Sequence, residues 1–85
     1  MSLQDTFENA VKSAHSLNDR PSNDNLLKMY GLYKQATEGD NNEEPPGGFD
    51  FKAAAKHNAW KKLEGTSKED AMTQYIDLIE QLKSA

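Results

Sequence analysis

Apolar residues recur at intervals of three and four along four segments of the 85-residue sequence, and nowhere do they alternate with a period of two. That pattern predicts helices and argues against any sheet. The first segment opens at Ser2, where "SLQD" resembles a capping box with Asp5 in the place of the more usual Glu. Leu3, Phe7, Ala10, Val11, Ala14 and Leu17 follow at helical spacing. "NDRPSND" breaks the run through Pro21 and its polar neighbours, and Ser22 or Asn23 is placed to cap the next helix. The second helix is expected from about Asp24 to Thr37 and to end at Gly39. Its apolar and aromatic residues (Leu26, Leu27, Met29, Tyr30, Leu32, Tyr33 and Ala36) exceed one stripe, so this helix is expected to touch two things.

"GDNNEEPPGGFD" holds three of the five glycines and two of the three prolines, and it is expected to be an ordered or partly ordered crossing loop. The third helix starts with Asp50 as N-cap and is expected to end near Glu64 and Gly65. Phe51, Ala55, Ala59, Trp60 and Leu63 make its apolar side. In "GTSKEDA" Thr66 or Ser67 is followed three residues on by Glu69 or Asp70, a second start signal. Ala71, Met72, Tyr75, Ile76, Ile79 and Leu82 then form one clean stripe. The fold class is therefore all-α, a four-helix bundle with a long loop between helices 2 and 3, built as a single domain over residues 1–85.

The charge balance and the missing residue types exclude several functions. The chain has no cysteine, which removes disulfides, thiolate metal sites and a cysteine nucleophile and suits a reducing compartment. The net charge of −4 argues against a duplex nucleic-acid binder. "MSLQDTFENA" has no apolar stretch of the secretory kind, and no run approaches the roughly 20 apolar residues of a membrane span. A cytoplasmic protein without stable membrane insertion is expected. His15 and His57 stand alone, with no partner at metal-ligand spacing. "EGDNNEE" is acidic but lacks the glycine and glutamate of a calcium loop. No glycine-rich phosphate loop or nucleophile elbow is present, and no catalytic constellation assembles, so an enzyme is not expected.

The chemistry-bearing residues gather on two helices. Tyr30, Tyr33 and Lys34 are surface neighbours at i, i+3 and i+4. A tyrosine ring stacks on a planar ligand, its hydroxyl donates to phosphate, and a lysine binds phosphate as a mobile point charge. Half-buried core tyrosines with wet hydroxyls would explain the same spacing. Lys52 and Lys56 stand at i, i+4 on the third helix, a mildly repulsive arrangement that an anion would relieve. Solvated surface lysines are the alternative. Tyr75 and Trp60 read as core aromatics.

"YGLYKQATEGD" followed by "PPGGFDFKAAAKHNAWKKLEGTSKEDAMTQYI" resembles the acyl-CoA-binding protein family. That family's pattern is close to Y-x-x-Y-K-Q-A-T-x-G-D, a Pro-Gly loop, and D-F-K-x-x-A-K-x-x-A-W-x-x-L-x-G-x-S-x-E-x-A-x-x-x-Y-I. "FENAVK" and "RPSNDNLLKMY" fit its beginning, so the likeness covers nearly the whole chain. The resemblance implies an up-down-down-up bundle. It implies binding of medium- and long-chain acyl-CoA esters without turnover, as an intracellular carrier and pool former in lipid metabolism. No cofactor is implied; the partners are acyl-CoA itself and acyl-CoA-using enzymes, and the expected state is a monomer. By position, Tyr30, Tyr33 and Lys34, with Gly31 and Leu32 in the same run, match the nucleotide-binding stretch. Lys56 matches the lysine for the ribose 3′-phosphate, and Lys52 another basic position of that site. Tyr75 matches the tyrosine near the acyl and pantetheine portion, and Phe7, Ala10, Val11 and Leu27 match apolar positions flanking the ligand. Three departures stand out. His57 replaces the usual tryptophan before "NAW" and removes an apolar wall. His15 sits where lysine is common, so the resemblance implies an acyl-CoA-binding position there at which one phosphate contact is lost or pH-dependent. "EEPPGG" lacks the basic residue often found before the Pro-Gly. The chain also ends at "LKSA", without the family's basic, tyrosine-containing tail.

Overall fold

The computed structural model describes residues 2–17 and 19–84. Four helices follow one another: α1 (Leu3–Ala14), α2 (Asn23–Glu38), α3 (Phe51–Lys61) and α4 (Lys68–Ser84). Each begins at a side chain that satisfies a free backbone N–H. The Ser2 hydroxyl accepts from the Asp5 N–H, and Ser22 from Asn25, both at 3.1 Å. The Asp50 carboxylate accepts from Ala53 and the Ser67 hydroxyl from Asp70, both at 3.0 Å. Helix α2 extends one residue beyond the expected limits at each end, and it stops at Gly39, whose φ of 82° suits glycine.

Helix α3 is shorter than expected. It ends at Lys61, because Leu63 and Glu64 donate back to the carbonyls of Trp60 and Lys61 and tighten the chain into a turn before Gly65. The apolar side read for α3 also changes. Phe51 is 79% exposed and Phe49, just before the cap, is 91% exposed, so neither joins Trp60 in the interior.

The contacts fix the helix directions. Gln35, near the end of α2, bonds the Thr66 carbonyl just before α4, so α2 and α4 run antiparallel. Phe7 of α1 meets Tyr75, and Lys12 and Ser13 border the same surface as Leu82, so α1 runs with α4. Along α3, Lys56 lies over Tyr30 and Trp60 reaches Gly39, so α3 runs with α2. The result is up-down-down-up. Helix α2 is the hub: it packs on α4 by one face and on α3 by another, and α1 packs on α4 and reaches α2 through Phe7 against Tyr33. This accounts for the two apolar stripes in its sequence. The core joins Phe7, Ala10, Leu32, Ala36, Ala71, Met72, Tyr75 and Ile79.

Candidate ligand-binding site

Two aromatic–cation pairs mark one side of the α2–α3 seam. The Lys56 ammonium lies 5.5 Å from the centre of the Tyr30 ring, and the Lys34 ammonium lies 4.9 Å from the Trp60 ring. Each cation is thus held against a π face, which favours a positive charge. Lys34 also pairs with Glu38 one turn on. That hydrogen bond raises the lysine's pKa above its ordinary value, against a smaller opposing effect of desolvation. Trp60 is held in turn, its indole N–H donating to the Gly39 carbonyl at 2.8 Å. Tyr30, Lys56, Trp60, Ala53 and His57 surround a hollow of about 210 Å³ that Glu43 and Glu44 close from the loop.

Tyr33 points away from that hollow. Its ring stacks on Phe7 at 6.0 Å and lies 6.5 Å from Tyr75, yet the residue stays 41% exposed. Phe7 and Tyr75 meet edge to face at 5.2 Å. Tyr75 is 4% exposed, and that burial pushes its phenol pKa up. The three rings therefore form a cluster that presents one open face, on Tyr33.

A second groove of about 730 Å³ lies on the other side of α3, bordered by Leu27, Leu32, Ala55, Ala59 and Leu63, with Lys28 and Lys62 at its rim. The residues of α3 that line the two hollows differ by roughly half a turn, so they occupy opposite sides of that helix. In sequence their linings come near one another at Leu27, three residues before Tyr30, and at Ala55, next to Lys56.

The remaining residues singled out in the sequence are distributed as follows. Gly31 is buried at the crossing with α3, and Leu32 is 7% exposed in the core. Phe7 and Ala10 are core residues, and Val11 packs partly buried against them. Lys52 is exposed in the first turn of α3 and forms no ion pair among the described residues. His15 is the exposed C-cap of α1, its backbone N–H donating to the Lys12 carbonyl at 3.2 Å. The structure thus brings Tyr30, Lys34 and Lys56 together with Trp60, and Phe7 together with Tyr33 and Tyr75. Leu27 lines the apolar groove.

His57 fastens the crossing loop to α3. Its Nε2 lies 3.1 Å from the Glu43 carbonyl, which only accepts, so Nε2 carries the proton. Nδ1 is buried without a partner among the described residues. Asn41, fully buried, completes the fastening: its amide donates to the His57 carbonyl at 3.2 Å and its oxygen accepts from the Glu43 N–H at 2.9 Å.

Sequence reasoning missed a polar hub behind the site. Gln35 is fully buried, and its amide donates to Asp40 at 2.9 Å and to the Thr66 carbonyl at 2.7 Å. The same Asp40 oxygen accepts from the Gly65 N–H at 2.9 Å. These bonds, led by Gly65, hold the Asp40 carboxyl below its ordinary value of 3.8. The hub ties the end of α2 to the α3–α4 turn. Among the described residues no cluster of His, Cys, Asp and Glu is arranged to hold a metal ion. No described helix is long and apolar enough to cross a membrane.

Residues 4–79 match the family model described as acyl CoA binding protein. The acyl-CoA-binding protein of Dictyostelium discoideum is 52% identical over 77 residues, which cover 91% of this chain and 92% of that one. That of Saccharomyces cerevisiae is 50% identical over 76 residues, covering 89% and 87%. Among solved structures, the crystal structure of Oryza sativa acyl-CoA-binding protein 2 superimposes with a TM-score of 0.93 at 46% identity, over 98% of this chain and 92% of that chain.

Proposed function

The chain belongs to the acyl-CoA-binding protein family, and we propose that Tyr30, Lys34 and Lys56 anchor the nucleotide of an acyl-CoA while the α2–α3 groove shelters its acyl chain. The protein binds acyl-CoA and carries it. The observation that carries the site assignment is the pairing of two cations with two aromatic faces at one edge of the α2–α3 seam, where Tyr30, Lys56 and Trp60 line a hollow, with an apolar groove on the other side of α3. Adenine offers a ring to stack on Tyr30, and its ribose phosphate offers a counter-charge to Lys56 and a competing one to Lys34. Lys52 adds positive charge one turn before Lys56.

The pantetheine arm then passes over the turn where Leu27 and Ala55 adjoin Tyr30 and Lys56, and the acyl chain enters the groove beyond. Each buried methylene contributes about 0.8 kcal/mol, so a sixteen-carbon chain offers on the order of 10 kcal/mol before ordering costs. That gain favours long chains over short ones and the thioester over free CoA. Tyr33, with one exposed face on the Phe7–Tyr75 cluster, gives the ligand a second aromatic contact. The role is sequestration and delivery without turnover, as a monomer in the cytoplasm that hands its cargo to acyl-CoA-using enzymes.

Isothermal titration with palmitoyl-CoA, with free CoA and palmitate in parallel, tests this reading. Tight one-to-one binding of the thioester, weaker binding of CoA and negligible binding of palmitate are expected. Equal affinity for palmitate and palmitoyl-CoA would overturn the nucleotide anchor.

A further inference from the structure

Glu38 is badly placed for the helix that carries it. It sits at the last residue of α2, where exposed carbonyls already make the end negative, and no basic residue in that turn offsets it. Its ion pair with Lys34 runs in the weaker order, with the lysine four residues before the glutamate. The carboxylate side chain is 51% exposed, whereas the Lys34 side chain is only 21% exposed. Helix stability therefore gives no reason for a carboxylate at this position. What Glu38 does is occupy the ammonium that faces Trp60.

We infer that Glu38 is an internal counter-ion that competes with the ligand's phosphate for Lys34 and so sets how readily the nucleotide is released. This rests on the site assigned above. In the free protein Glu38 neutralises Lys34 and keeps its chain folded over Trp60. An arriving phosphate displaces the carboxylate, which remains nearby as a like charge and weakens the new pair. A carrier gains from this arrangement, because the same carboxylate recaptures Lys34 as the phosphate departs and so speeds delivery. Glu38 acts only through Lys34; it is a positioning residue with no contact to the ligand.

The test is a double-mutant cycle read by titration with free CoA and with palmitoyl-CoA, using the intact chain, Glu38→Gln, Lys34→Met and the double variant. An i, i+4 pair on a helix is weak, so Glu38→Gln is expected to bind CoA about twofold tighter. The gain appears mainly as slower dissociation, followed through Trp60 fluorescence. In the Lys34→Met background Glu38→Gln changes nothing. A purely structural Glu38 would lower both the melting temperature and the affinity on substitution, whereas here the melting temperature of the free protein stays level or rises. Unchanged or weaker CoA binding by Glu38→Gln overturns the inference, and so does a gain that persists in the Lys34→Met background. If the unsubstituted chain binds neither CoA nor palmitoyl-CoA, the site assignment itself falls and this inference falls with it.

Discussion

Gly31 and Ala59 meet so closely where α2 crosses α3 that a methyl group on residue 31 would stand 2.8 Å from the Ala59 carbonyl oxygen. The obstacle is backbone, so it has no flexible end to swing aside. Alanine favours a helix over glycine by about 1 kcal/mol, and only the crossing opposes that gain. Overpacking of this kind costs about 1–3 kcal/mol, so after that gain is subtracted Gly31→Ala is expected to destabilise the protein by up to about 2 kcal/mol. Urea unfolding of the two chains measures it. A stabilised variant would mean that α3 moves freely on α2.

The Asp40 carboxylate joins the end of α2 to the turn before α4 by accepting from both Gln35 and Gly65. Its folded pKa lies below the ordinary 3.8, with the Gly65 bond as the first cause. The stabilisation it gives is therefore complete above that ordinary value and is lost as pH falls through the depressed one. Asp40→Asn keeps an oxygen acceptor but has no proton to gain. It is expected to unfold at lower urea than the parent at neutral pH and to lose part of the parent's decline in acid. Parallel slopes of stability against pH below about pH 4 would show that other carboxylates govern the acid limb.

Lys34 and Tyr33 separate charge from stacking. Charge-assisted hydrogen bonds contribute about 1.5–3 kcal/mol, so Lys34→Ala is expected to weaken CoA and palmitoyl-CoA alike by roughly tenfold or more. Tyr33→Ala removes an exposed ring face and also part of the packing on Phe7 and Tyr75. It is expected to weaken binding and to lower the melting temperature by a few degrees, while Lys34→Ala leaves the fold intact. Titration and thermal melts on the same samples distinguish them, and undiminished affinity in both variants would remove these residues from the site.

The helices were legible because their signals are local. Ser2, Ser22, Asp50, Ser67 and Gly39 each act within a turn of their own position, and the Ala71–Leu82 stripe repeats at the helical period. The long-range polar contacts were not legible. Gln35 reaches Thr66 across 31 positions and Trp60 reaches Gly39 across 21. In a sequence, a glutamine or an asparagine gives no sign of being fully buried as Gln35 and Asn41 are. Phe51 misled in the opposite sense: its type argued for the interior, but at the first residue of α3 it is exposed. Spacing placed Tyr30, Tyr33 and Lys34 on one surface. Only packing shows that Tyr30 and Lys34 turn toward α3 while Tyr33 turns toward α1 and α4.

Leu27 offers the sharpest separation of chain from headgroup. It lines the apolar groove with Ala55, Ala59 and Leu63 and contributes nothing to the hollow around Tyr30 and Lys56. Leu27→Ala withdraws apolar surface from the acyl chain alone. At about 25 cal/mol per Å² the loss for palmitoyl-CoA is about 1–2 kcal/mol, a factor of roughly five to thirty in affinity, with free CoA unaffected. The residue is partly exposed, so the cost to folding stays below that of a core truncation. The deficit should also shrink as the acyl chain is shortened from sixteen carbons to eight, because a shorter chain leaves less of the groove filled. Titration of both variants with octanoyl-, palmitoyl- and free CoA measures that trend. Equal losses for all three ligands would place Leu27 under the nucleotide and the acyl chain elsewhere on the bundle.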